Sequence, residues 1–126
     1  MHLAASILAA LLASAIIVIG AQYLLAPWAA TRIFGLPLPE PSINTGWWLR
    51  LKGIRDIVSG LAVFALMIWG GGRMVGIFLL VAALIPFGDM SMILAARGSR
   101  ARAFGIHGIT VLAMILAGVP LVIGPA

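Results

Sequence analysis

Residues 47–60, WWLRLKGIRDIVSG, open an apolar run that continues to Trp69, and they carry Arg50, Lys52, Arg55 and Asp56. The whole 126-residue chain holds only eight Lys or Arg and three Asp or Glu. A charge in hydrocarbon costs about 2.5–3.5 kcal/mol on insertion scales, so such residues face a bundle interior, pair with one another or mark a functional site. The stretch thus poses the question of the fold: a segment long enough to span a membrane, with a charged head.

Composition supports the membrane reading. The chain is 63% hydrophobic and 9% charged, with mean hydropathy +1.21, outside the range of soluble domains. Its length suits one domain, residues 1–126. The absence of Cys excludes disulfides, thiol nucleophiles and thiolate metal sites. The net charge of +5 reads as topology, because six basic residues fall in two neighbourhoods: Arg32, Arg50 and Lys52, then Arg97, Arg100 and Arg102. No aromatic–basic platform or Gly-rich phosphate loop accompanies them, so no nucleic-acid partner is expected.

Four apolar segments stand out, at residues 3–26, 47–69, 74–96 and 103–123. Each approaches the ~20 residues needed to cross hydrocarbon. Period-2 alternation is absent and lipid demands internally satisfied backbones, so helices follow. The expected fold is an all-α, integral membrane four-helix bundle, with the lipid bilayer as its first partner. Ala13-Ser14-Ala15 resembles a signal-peptide cleavage site. There is no basic n-region, however, and the apolar run continues, so a retained helix is expected.

The Gly70-Gly71-Gly72-Arg73 link dictates an antiparallel hairpin. A short basic turn, residues 97–102, joins the last two segments. The first link, residues 27–46, is long, and Pro37, Pro39 and Pro41 favour an extended course along the membrane surface. Trp28, Trp47 and Trp48 flank it at headgroup level. Counting basic residues places the first and third links inside and both termini on the non-cytoplasmic side. In a bacterium this is the inner (cytoplasmic) membrane.

This topology gathers the polar residues at one depth. Gln22 and Tyr23 end the first helix at its inner side. Arg55 and Asp56 lie ~12–14 Å into the second, Asp89 ~10 Å from the inner end of the third, and His107 ~6 Å into the fourth. Asp56 shares a face with Gly53 and Gly60, where a neighbouring backbone can approach closely. It reads either as a proton-transfer or ligand-binding carboxylate or as one half of a salt bridge with Lys52 or Arg55. Arg55 points ~100° away and can reach another partner, most simply Asp89, or an anionic ligand. Arg50 and Lys52 read as snorkelling interface anchors.

Asp89 follows Pro86, which removes a hydrogen bond to Ala82 and kinks the helix. It reads as a general acid or as the partner of Arg55. His107 shares a face with Thr110, Met114 and Gly118. It reads as a base, or as a His bonded to a neighbour. No second His stands at ligand spacing and His2 lies at the opposite end, so neither a metal nor another cofactor is expected.

With FGLP in the first link, LKGIRDIVSG opening helix two, Gly88-Asp89 in helix three and His107 opening helix four, the chain resembles a family. These are small four-helix membrane proteins of unknown function with FGLP and G-x-R-D motifs, and they are more remotely similar to the DoxX-like group. The resemblance spans residues 33–118. It implies a four-helix bundle, and the association of some fungal relatives with natural-product pathways implies lipophilic small-molecule chemistry. Carried over by position, the family residues are Arg55, Asp56, Asp89 and His107.

Three functions compete. The first is metal-independent acid–base chemistry on a lipophilic small molecule: isomerisation, cyclisation or hydrolysis. Asp89 is then the acid, His107 the base, Asp56 the orienting carboxylate and Arg55 the anion clamp, with Tyr23 and Thr110 binding ligand. The second is a small proton-coupled transporter working as a homodimer. Small multidrug exporters carry an essential Glu midway along helix one, and here that helix has no acidic residue. The third is a non-catalytic lipid-binding or assembly subunit glued by its polar cluster.

Overall fold

The computed structural model describes residues 2–124 and is all-helical, with no strand among those residues. Five helices follow one another: α1 (His2–Leu25), α2 (Pro27–Phe34), α3 (Ile43–Trp69), α4 (Gly71–Ala95) and α5 (Arg100–Ile123). Three of them, α1, α4 and α5, are long and apolar enough to cross a membrane. The fourth long helix, α3, is interrupted in that respect by the charges of its first half, Arg50, Lys52, Arg55 and Asp56.

The long first link is only partly extended. Pro27 opens α2, where its missing N–H costs nothing and its fixed φ suits the first helical position. Gly35 closes α2 with φ 111°, a left-handed conformation open to glycine but strained for side chains. The proline-alternating run then occupies only residues 35–42. Ser42 restarts the helix, its hydroxyl accepting from the Thr45 N–H at 3.1 Å. A hydroxyl five residues before Trp47 thus begins α3 earlier than apolar content alone indicates.

Two tight helix pairs build the framework. In α1 and α3 the backbones nearly touch: a Cβ on Gly53 would lie 2.5 Å from the Gly20 carbonyl oxygen, and one on Gly60 would lie 2.6 Å from that of Ala13. In α4 and α5, a Cβ on Gly76 would meet the Gly118 carbonyl oxygen at 2.7 Å. Small residues serve this purpose where apolar burial between helices gives little drive. Contacts of α1 with α5 and of α3 with α4 tie the pairs together. Gly71, at φ 75°, makes the sharp turn between α3 and α4.

The well-packed core lies at the end that holds this turn, where Ala5, Ala9, Val63, Val75, Leu79, Ala117 and Leu121 pack together. Toward the other end two helices depart from regular geometry. Helix α4 breaks at Ala83, three residues before Pro86, whose ring displaces the carbonyl four residues earlier. Helix α5 loosens into a π-helical turn over Ala103–Gly108. The outer surface stays apolar, with Leu3, Leu11, Val18, Trp69, Leu84 and Ile109 all exposed.

The glycine contacts make an unequal pair of substitutions. Gly53→Ala forces the α1–α3 backbones apart and lowers stability by about 1–3 kcal/mol, the usual cost of overpacking. Gly88→Ala, with nothing within 4 Å of the new methyl, keeps or raises stability, since helical Gly costs about 1 kcal/mol relative to Ala. Thermal unfolding in one detergent, followed by far-ultraviolet circular dichroism, checks both.

Candidate functional site

All five helices contribute to one cavity of about 190 Å³. Its closed end rests on the core, against Leu12, Val63, Phe78, Leu79 and Met114. Its other end is polar, with Gln22 and Tyr23 from α1, Lys52, Asp56 and Ser59 from α3, Asp89 from α4, and His107 and Thr110 from α5. The segments that follow the break at Ala83 and form the π turn both line this space.

Lys52 and Asp56 stand four residues apart, one helical turn along the same face. Lys52 Nζ donates to Asp56 Oδ2 at 2.6 Å. The ammonium also lies 4.4 Å from the Tyr23 ring centre and 5.2 Å from that of Phe34. Both distances permit cation–π attraction. One carboxylate and two aromatic faces thus enclose the cation. The Asp56 side chain is only 15% exposed, because Gly53 and Gly60 press the same face of α3 against α1.

His107 is buried in the π turn, where it crosses to a different element. Its Nε2 lies 2.9 Å from the Phe34 carbonyl oxygen, and its ring meets the Phe34 ring edge-on with centres 4.6 Å apart. A carbonyl oxygen only accepts, so Nε2 carries the hydrogen and Nδ1 is the basic nitrogen of the neutral ring. Nδ1 faces Asp89 Oδ2 at 3.7 Å. At this separation the two groups are neighbours rather than hydrogen-bonded, and the imidazole is oriented from behind by the Phe34 carbonyl. A π turn inserts a residue into the helix and often marks such positions.

Asp56, Asp89, His107, Tyr23 and Thr110 all line the cavity. Thr110 also donates its hydroxyl to the Ile106 carbonyl at 2.7 Å, so its oxygen is held by its own helix. Arg55 is different. It is exposed on the outer face of α3, away from the cavity, and the charged partner of His107 is Asp89 with no guanidinium between them. The cation of the cavity is Lys52 instead, the residue that sequence position alone makes an interface anchor. Its four-residue spacing to Asp56 is the signal that identifies it. The Phe34 carbonyl carries no side-chain signal at all. Among the described residues no three His, Cys, Asp or Glu side chains gather where they could hold one metal ion.

These features define a small all-helical protein of membrane type, with two ionisable pairs set at the polar end of an apolar cavity. Residues 13–121 match the family described as a domain of unknown function, DUF4267, and the chain belongs to that family. No curated protein and no solved structure matches it.

The enclosed ion pair makes a non-additive prediction. Lys52→Met leaves a carboxylate in a half-dry site and costs about 1–3 kcal/mol, whereas Lys52→Met with Asp56→Leu recovers most of that loss. The comparison is read from melting temperatures of the two variants and the parent in the same detergent.

Proposed function

We propose that this protein is an integral membrane protein that crosses the bilayer four times and performs acid–base chemistry on a lipophilic small molecule held in its cavity. The observation that carries the reading is the Asp89–His107 pair at the polar end of an otherwise apolar space. Apolar walls with a few convergent polar groups are the usual form of a small-molecule site. A cluster serving only as internal glue would be dry and mutually saturated, whereas here space remains beside Asp89 and His107.

In this reading Asp89 donates a proton to a carbonyl, hydroxyl or double bond of the ligand, and His107 Nδ1 accepts one from it. The imidazole returns its proton to Asp89 through one bridging water, or after a side-chain rotation closes their 3.7 Å separation, so the protein ends each cycle as it began. Isomerisation and cyclisation fit this balance, and hydrolysis fits with water as co-reactant. Asp56, fixed by Lys52, accepts a hydrogen bond that orients the ligand. The anion-clamp role that sequence assigns to Arg55 passes to Lys52.

The membrane placement extends the three apolar spans to a fourth, α3, whose Lys52 and Asp56 are turned toward α1 while Arg55 faces outward. Both termini then lie outside and the polar end of the cavity lies in the cytoplasmic half, in a bacterial cell at the inner membrane. The basic residues support this: Arg32, Arg50, Lys52, Arg97, Arg100 and Arg102 cluster at one end, with Arg73 alone at the other.

The placement is checked by single-cysteine labelling, which the Cys-free sequence makes clean. In intact cells a membrane-impermeant maleimide labels Gly72→Cys, and it reaches Pro41→Cys only after permeabilisation. The chemistry is checked by mass spectrometry of organic extracts from cells expressing the protein or its variants. A compound converted by the parent is spared by Asp89→Asn and by His107→Ala, with a loss of about 10²-fold or more in rate. Identical extracts from folded parent and variants would sink the enzymatic reading.

A further inference from the structure

A second concavity, of about 380 Å³, lies beyond the Phe34–Gly35 peptide from the first, and no function above uses it. It is lined by Arg32 of α2, by Leu36, Pro37 and Leu38 of the link, and by Arg97, Ser99 and Arg102 around the start of α5. Among the described residues no carboxylate lines it. Two stretches of chain, residues 32–38 and 97–102, thus bring three exposed arginines to one groove.

Specific contacts hold the groove together. The Ser99 N–H donates to the Gly35 carbonyl at 2.8 Å, and Arg102 Nη1 donates to the Arg32 carbonyl. A Cβ on Gly98 would strike the Gly35 carbonyl oxygen, so the basic turn and the link meet backbone to backbone. Arg97 adopts φ 56°, the only non-glycine residue with positive φ among those described. This left-handed residue closes α4, the Gly98 N–H donating to the Ile93 carbonyl at 2.8 Å, a helix end where glycine is usual and a side chain is mildly strained. Glycine would relieve it, yet an arginine stands there.

We propose that this groove binds the phosphate of an anionic phospholipid headgroup. Planar guanidiniums suit phosphate oxygens, which they can grip with paired hydrogen bonds. The apolar rim decides between a lipid and a free phosphate: Leu36 and Leu38 are 40% and 65% exposed beside the arginines. They offer a surface to the first methylenes of an acyl chain, which free phosphate cannot use. The inference rests on the membrane placement above, whose cysteine test is separate, and it is independent of the cavity chemistry.

The test is native mass spectrometry of the purified protein released from nanodiscs of phosphatidylglycerol and phosphatidylcholine in equal amounts. The parent retains phosphatidylglycerol preferentially. Arg97→Gly reduces that preference about fivefold, the effect of removing one cation beside an anionic surface, while its melting temperature in detergent holds or rises because the strained φ is relieved. Arg32→Gln reduces the preference likewise, and Arg73→Gln, at the opposite end, leaves it unchanged. Three results would overturn the proposal: equal retention of both lipids, an equal loss with Arg73→Gln, or displacement of the retained lipid by millimolar inorganic phosphate. If cysteine labelling puts the two ends on the expected sides while lipid selectivity is absent, the groove fails and the placement stands.

Discussion

Where the backbones of α1 and α3 touch, at Gly20 and Gly53, the rest of the site is decided. Neither helix can rotate without driving a side chain into a carbonyl oxygen. The contact therefore fixes which face of α3 is interior, and Asp56, between Gly53 and Gly60, comes with it. Lys52 follows from the four-residue repeat, and its ammonium then lies against Tyr23 of the same α1. A contact made only by atoms of main chain thus positions an ion pair and the aromatic faces around it.

The two halves of the molecule do different work. At the end with the Gly71 turn, alanines and small aliphatic residues close the space between helices and make a rigid base. At the other end Pro86 and the π turn line the cavity, and the short α2 folds back to supply Phe34. That residue joins both ionisable pairs: its ring faces Lys52 and its carbonyl holds His107. The FGLP run is thus a structural bracket. Phe34 serves the cavity, and Gly35, through its left-handed φ and its carbonyl, serves the basic groove.

Much of this was legible in residue pattern, and the failures have physical causes. Helix content and three of the four expected apolar spans follow from hydropathy, and the gathering of Asp56, Asp89 and His107 at one cavity accords with their helical positions. The interior face of α3 follows from its glycines. Arg55 and Lys52 exchange places because they lie only three residues apart, and a helix face blurs over such a step until a neighbour defines it. The early start of α3 and the helical portion of the link depend on single capping residues, Ser42, Pro27 and Gly35, which a hydropathy profile averages away. The tie between His107 and Phe34 joins a side chain to a distant carbonyl, and no residue type announces an acceptor of that kind.

The π turn at Ala103–Gly108 sets the phase of the last helix. One additional residue within a turn advances everything beyond it by about 100° relative to an unbroken α-helix. His107 within that turn faces Asp89, and Gly118 beyond it faces Gly76. An uninterrupted helix spaces these two residues at a fixed angle that the bulge changes. Helix α5 therefore works as two rulers joined out of register: one measured against the polar end of the cavity, the other against the packed base. Straightening the join would leave only one of the two aligned.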